Sequence, residues 1–214
     1  MSQNNNIPDS HFDTMVALGD SAWTLLATHP IDQIDFDAVA EKAGVDRGLA
    51  GALSGSVQRL VLAKMKELDR QSLMETYDDI RDAGEVSVRE KIIESLLHWF
   101  ETYAPYRSQI DQLNRSARRH PDLALHLIVD LEALIRRVLV MAGDPARGPR
   151  GMARVKGVAG VFLVTARVWM KDDSNDLAAT MKMLDQRMTQ AEEWGISLRV
   201  FDGGQSHDGS DDRV

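Results

Sequence analysis

No cysteine occurs among the 214 residues, which removes disulfide stapling, thiolate nucleophiles and cysteine-ligated metals from consideration. A reducing, cytoplasmic setting is the expectation that accompanies this. The chain also lacks any uninterrupted apolar run near the ~18 residues that a membrane-spanning helix needs. Its start, MSQNNNIPDS, has neither the basic nor the apolar stretch of a signal peptide. Strand-like alternation and internal repeats are missing too, which argues against β architectures and solenoids. What is present is 43% hydrophobic residues, enough to bury the core of one or two compact domains.

Charge is segregated along the chain. The net charge is −8 overall, yet residues 1–60 carry −5, residues 61–104 carry −4, residues 105–171 carry +7 and residues 172–214 carry −6. A positive middle and an acidic N-terminal part bear directly on any contact with a polyanion.

Helical periodicity runs through nearly all of the sequence, and about nine helices are expected in an all-α fold. Phe12, Val16, Gly19, Trp23 and Leu26 share one face of a first helix that ends before His29-Pro30. Asp35 is placed to cap a short helix from Phe36 to Ala43, closed by Gly44, and Asp46 to cap another through about Leu53. A long amphipathic run follows from Ser56 to about Arg81. Ser87 and Glu90 form an S-x-x-E capping box for the next helix. Pro105 and Pro121 sit where first-turn prolines are tolerated. The helix from Leu123 to Met141 is apolar on most sides, which predicts a central position. Residues 1–8 and 201–214 have little to bury and are expected to be disordered.

The segment FDAVAEKAGVDRG resembles the helix-turn-helix of the TetR family of bacterial regulators, in which an alanine-rich helix ends in A-G-V before the recognition helix. Val39, Ala40, Ala43, Gly44 and Val45 match that pattern. The resemblance implies a TetR-like homodimer, with a helix-turn-helix domain over 9–55 and a helical ligand-binding and dimerisation domain over 56–200. It implies a ligand-responsive transcriptional regulator, a repressor, whose partners are a DNA operator and a small apolar or lipid ligand. Where such recognition helices end in an aromatic anchor followed by a lysine, this chain has Leu49 to Ser56, LAGALSGS, then Val57, Gln58 and Arg59. The polar residues left to contact DNA are Arg47, Ser54, Ser56, Gln58 and Arg59.

Near the C-terminus a second hairpin is written in apolar spacing. Leu177, Met181, Leu184, Met188 and Ala191 recur at intervals of four, three, four and three, after a stripe of Ala159, Phe162, Ala166 and Trp169. Val158, Phe162, Thr165, Trp169, Leu177, Met181, Leu184 and Met188 are the expected dimer interface. Trp169, Asp172, Ser174, Asp176, Thr180-Met181, Leu184-Asp185 and Arg187 resemble the C-terminal signature of the ubiquinone-biosynthesis lipid-binding proteins. That resemblance implies an alternative: a DNA-independent lipid-binding accessory protein that partners a quinone-biosynthesis enzyme.

Chemistry has little support. Glu94/His98 and His126/Asp130 are each four apart on a helix but have no third ligand in sequence, so no metal site is expected. No ordering of Ser, His and Asp suggests a nucleophile, no phosphate loop follows a strand, and neither catalysis nor a cofactor is expected. A ligand pocket in the helical body is the stronger expectation, lined by Trp99, Phe100, Tyr103, His126, Phe162 and Trp169. The arginines of the positive middle, among them Arg115, Arg118 and Arg119, are expected on a solvated face.

Overall fold

A computed structural model describes residues 11–82, 85–144 and 146–203, with side chains described as far as residue 193. Nine α-helices lie within these residues, as the periodicity predicts, and no strand occurs among them. The expected disorder at 1–8 and over most of 201–214 falls outside the described residues. The last helix continues in its backbone to Gly203, past the predicted break.

Packing divides the chain into two compact units, one of residues 1–84 with 98–134 and one of residues 85–97 with 135–214. The expected boundary at residue 55 is therefore not where packing divides the chain. The reason is the long helix α4, Val57–Asp82, which is continuous and lies along α1, His11–Leu26.

In the first unit α1 is the hub, packing against α2 (Phe36–Ala43), α3 (Arg47–Leu53), α4 and α6 (Arg107–Ala117). Leu18, Ala22, Trp23 and Leu26 of α1 are buried, as are Val39, Ala40, Ala50, Leu60 and Val61. Gly19 faces α4, where a Cβ would stand 3.7 Å from the Leu60 carbonyl oxygen, an ordinary contact distance. Lys64 of α4 reaches back to Asp20 at 2.6 Å. One end of the predicted α1 stripe departs from expectation: Phe12 is 72% exposed. The α6 end is tied to the segment after α1 where the Ile31 N–H donates to the Ser116 hydroxyl at 3.4 Å.

The second unit takes the start of α5 (Val88–Tyr103), the end of α7 (Pro121–Met141), α8 (Gly148–Trp169) and α9 (Ala178–Gly203). The predicted capping box opens α5: the Ser87 N–H and hydroxyl both donate to Glu90, and the Glu90 N–H donates to Ser87 Oγ. Arg89, in the first turn, donates to Asp185 at 2.7 Å and to the Thr189 hydroxyl at 3.0 Å, clamping α5 to α9. Helices α8 and α9 form the predicted hairpin.

Helix α7 is not enclosed as its composition predicts. Leu123, Leu134, Ile135, Val138 and Leu139 are buried, but Leu125, Ile128, Val129 and Val140 are exposed. Apolar content on several sides of a helix shows that the helix can be buried; which sides are covered depends on its neighbours.

Candidate functional site

The helix-turn-helix is built by local chemistry. The Asp35 carboxylate accepts from the Asp37 N–H at 3.1 Å and starts α2. Gly44 ends α2 in the left-handed region, φ +66°. Its N–H donates to the Glu41 carbonyl and that of Val45 to the Ala40 carbonyl, both at 3.0 Å. Asp46 then caps α3, accepting from the Gly48 and Leu49 N–H groups at 2.9 and 3.0 Å. Ala50 is fully buried against the other helices, so α3 turns Leu49, Gly51 and Ala52 outward. A Cβ at Gly44 would meet no neighbour within 4 Å, so Gly44→Ala tests the backbone alone. It is expected to lower unfolding free energy by about 1 kcal/mol, read as a reduced midpoint in urea denaturation.

The five residues expected to reach DNA do not share one environment. Arg47 is exposed and its Nε pairs with Asp37 at 2.8 Å. Ser54, expected at the duplex, is instead 5% exposed, because the chain turns inward between α3 and α4, and its hydroxyl donates to the Ser56 carbonyl at 3.4 Å. It is not presented to a duplex. Ser56, Gln58 and Arg59 lie together where α4 begins.

Those three line a groove that the sequence did not suggest. Gly55, Ser56, Gln58, Arg59, Leu62, Ala63 and Lys66 supply one wall and Asp122 and His126 of α7 the other of an open groove of about 640 Å³. Lys66 pairs with Asp130 at 3.2 Å across the two helices. His126 Nδ1 bonds the Asp122 carbonyl at 2.7 Å, leaving Nε2 for another partner. Both the groove and the helix-turn-helix belong to the first unit. The spacing of 58, 62 and 66 with 122, 126 and 130 is readable as two helix faces, but nothing local says that the two faces meet.

The ring residues expected to line a ligand pocket are core residues. Trp99 stacks on Tyr103 with centroids 4.0 Å apart and meets Phe100 edge-on at 5.4 Å. All three are buried in the first unit, while Phe162 and Trp169 are buried in the second. His126 is the exception, lying at the surface on the groove. The Trp99 indole and Tyr103 hydroxyl both donate to buried Asp69, at 2.8 and 2.9 Å. Asp69 leaves no local signal in the sequence, because Trp99 and Tyr103 lie 30 and 34 residues away.

The residues expected at a dimer interface mostly face inward. Val158, Phe162, Thr165, Trp169, Leu177, Leu184 and Met188 are each 7% exposed or less within a single chain, whereas Met181 is 46% exposed. The seam is real, but it closes the α8–α9 hairpin of the same chain. Leu177 precedes α9 in a left-handed conformation, φ +51°, and the buried positions run Leu177, Thr180, Leu184 and Met188, with Thr180 buried and Met181 exposed.

The hairpin signature is likewise structural. Asp172 is buried and accepts from the Ser174 hydroxyl at 2.5 Å, the Thr180 hydroxyl at 2.7 Å and the Thr180 N–H at 2.8 Å. These bonds, that of Ser174 first, hold its carboxyl well below the usual aspartate range. Ser174 and Asp176 accept from the Ala178 N–H, and Asp185 meets Arg89. The two spaced pairs considered for metal find other partners: His98 bonds Glu75 at 2.9 Å and Asp130 bonds Lys66. No cluster of three metal-ligating side chains occurs among the described residues. Of the positive middle, Arg115 pairs with Asp111 at 2.6 Å, Arg119 lies 3.6 Å from Asp32, and Arg118 is exposed. No helix among the described residues is long and apolar enough to cross a membrane.

This arrangement is similar to the crystal structure of the TetR transcriptional regulator from Nitrosomonas europaea, with a TM-score of 0.67 and 17% identity, covering 84% of this chain and 98% of that one. The fold is accordingly all-α and TetR-like. No family model matches the sequence, and no curated protein matches it. The likeness of the hairpin to the ubiquinone-biosynthesis lipid-binding proteins has no counterpart in the structural match.

Proposed function

We propose that the protein is a homodimeric, ligand-responsive transcriptional regulator that binds DNA through its helix-turn-helix and has no catalytic activity. The observation that carries this reading is the α2–Gly44–α3 turn, capped at both helix starts, beside a cationic start of α4. Arg47, Ser56, Gln58 and Arg59 are the proposed contacts. The exposed side of helix α3 bears small residues, Gly48, Gly51 and Ala52, so its backbone can approach a groove closely. Its short supply of base-reading side chains favours phosphate contacts over discrimination between bases.

A dimer is supported by the outer side of α8. Met152 and Leu163 are 55% and 50% exposed there, and Gly157 and Gly160 have no neighbour within 4 Å of a built Cβ. Two glycines within an exposed helix each cost about 1 kcal/mol relative to alanine; a second helix packed on them offsets that cost. With Met181, these residues form the surface proposed for the partner copy, in place of the inward-facing seam.

Fluorescence anisotropy on labelled genomic duplexes across a salt series tests the reading. Two arginines per protomer, Arg47 and Arg59, predict log K against log salt with a slope of roughly −3.6 for the dimer. Arg59→Ala removes one contact per protomer and is expected to flatten that slope by roughly 1.8. An absence of duplex binding at about 50 mM salt sinks the proposal.

A further inference from the structure

We infer that the groove between the start of α4 and the start of α7 binds a small organic anion, with Arg59 holding a carboxylate or phosphate head and the floor at Leu62 taking a short apolar body. Its volume, about 640 Å³, falls in the range of small-molecule sites, roughly 300–1,000 Å³. Its polar groups are unevenly committed. Lys66 is held by Asp130, and His126 Nδ1 is held by the Asp122 carbonyl. Arg59, in contrast, is exposed and makes no ion pair among the described residues, in a chain of net charge −8 where acidic partners are plentiful. A guanidinium presents a planar fork of donors that matches a carboxylate or phosphate in two parallel bonds. Gln58, one residue before it, and His126 Nε2 add further hydrogen-bonding groups around the head. Leu62, 7% exposed, adds an apolar surface that an inorganic ion does not use.

Gln58 and Arg59 are also proposed DNA contacts, so an occupied groove competes with the duplex for the same guanidinium. This competitive half of the inference rests on the regulator reading. It places ligand response at the DNA-facing end of α4 itself, by direct exclusion.

Calorimetric titration of the full chain with hexanoate, hexyl phosphate and hexanol tests the site. At least one anion is expected to bind about tenfold tighter than the alcohol, and Arg59→Gln to weaken it about tenfold while leaving hexanol unchanged. Which anion binds tighter identifies the head. Arg59 is exposed and unpaired, so its variant keeps the fold, and amide shifts in an NMR titration should cluster at Gly55, Ala63 and His126. Equal affinity for all three ligands, an Arg59→Gln affinity equal to wild type, or shifts centred elsewhere overturns the site. A duplex displaced by the anion supports the competition, and simultaneous binding of both overturns it. Should the anion bind through Arg59 while no duplex binds, the regulator reading falls and the anion site stands.

Discussion

Asp172→Ala is expected to lower the unfolding free energy by about 3 kcal/mol, because buried hydrogen-bond donors lose a charged acceptor and regain none. Asp172 sits in the turn between α8 and α9 and is 5% exposed. One of its oxygens takes the Thr180 N–H and hydroxyl, the other takes Ser174. The turn it ties down includes Leu177, a non-glycine residue at φ +51°, a conformation that costs roughly 1–2 kcal/mol. Loss of the carboxylate therefore releases a strained turn as well as orphaning donors. Asp172→Asn keeps the shape and one carbonyl acceptor, and about half the loss is expected.

The pH dependence separates charge from shape. The folded carboxyl titrates below the value of a free aspartate, so its contribution is complete above about pH 5 and fades as pH falls past the unfolded value near ~3.9. Wild type minus Asp172→Asn, measured by urea denaturation at stepped pH, should shrink over that window. A constant difference from about pH 3 to pH 7 would show that the carboxylate charge contributes nothing to the lock.

These contacts explain which parts of the molecule were readable in advance. Asp35, Gly44, Asp46, Ser87 and Glu90 act on backbone groups within four residues of themselves, so their sequence pattern and their geometry are nearly the same information. The hairpin seam was readable as a buried face, but spacing cannot say whether the same chain or another covers it. Here α8 and α9 cover each other, leaving Met181 outside. The match to a lipid-binding signature has a similar origin: Trp169, Asp172, Ser174 and Thr180 close a hairpin, work required by the architecture under either function. Least readable were the contacts between distant faces, such as the α4–α7 groove, the Arg89 clamp on α9 and the Asp69 cluster. Each pairs residues from separate helices whose meeting depends on how several others pack.

The Asp69 cluster gives the second large effect. Asp69→Ala is expected to cost about 3 kcal/mol, since the Trp99 indole N–H and the Tyr103 hydroxyl both lose their acceptor inside the core of the first unit. Tyr103→Phe removes the hydroxyl together with its bonds to Asp69 and to the Met65 carbonyl, but Asp69 keeps the Trp99 indole as a donor, which makes it the milder change at about 1 kcal/mol. The double variant should cost less than the sum, because the two residues share one interaction; strict additivity in urea denaturation would count against the cluster acting as a unit. Burial first, then the neighbouring Asp69, raises the Tyr103 hydroxyl well above its ordinary value near 10. The phenol therefore contributes stability that is present below pH ~10 and is lost as pH climbs through its folded value, so Tyr103→Phe should blunt alkaline unfolding. Asp69 also lies on α4, three turns beyond Arg59, and fixes that helix against α5. A folded Asp69→Asn protein that binds the groove anion like wild type but binds duplex more weakly would show that the anchor positions α4 for DNA and leaves the groove itself intact.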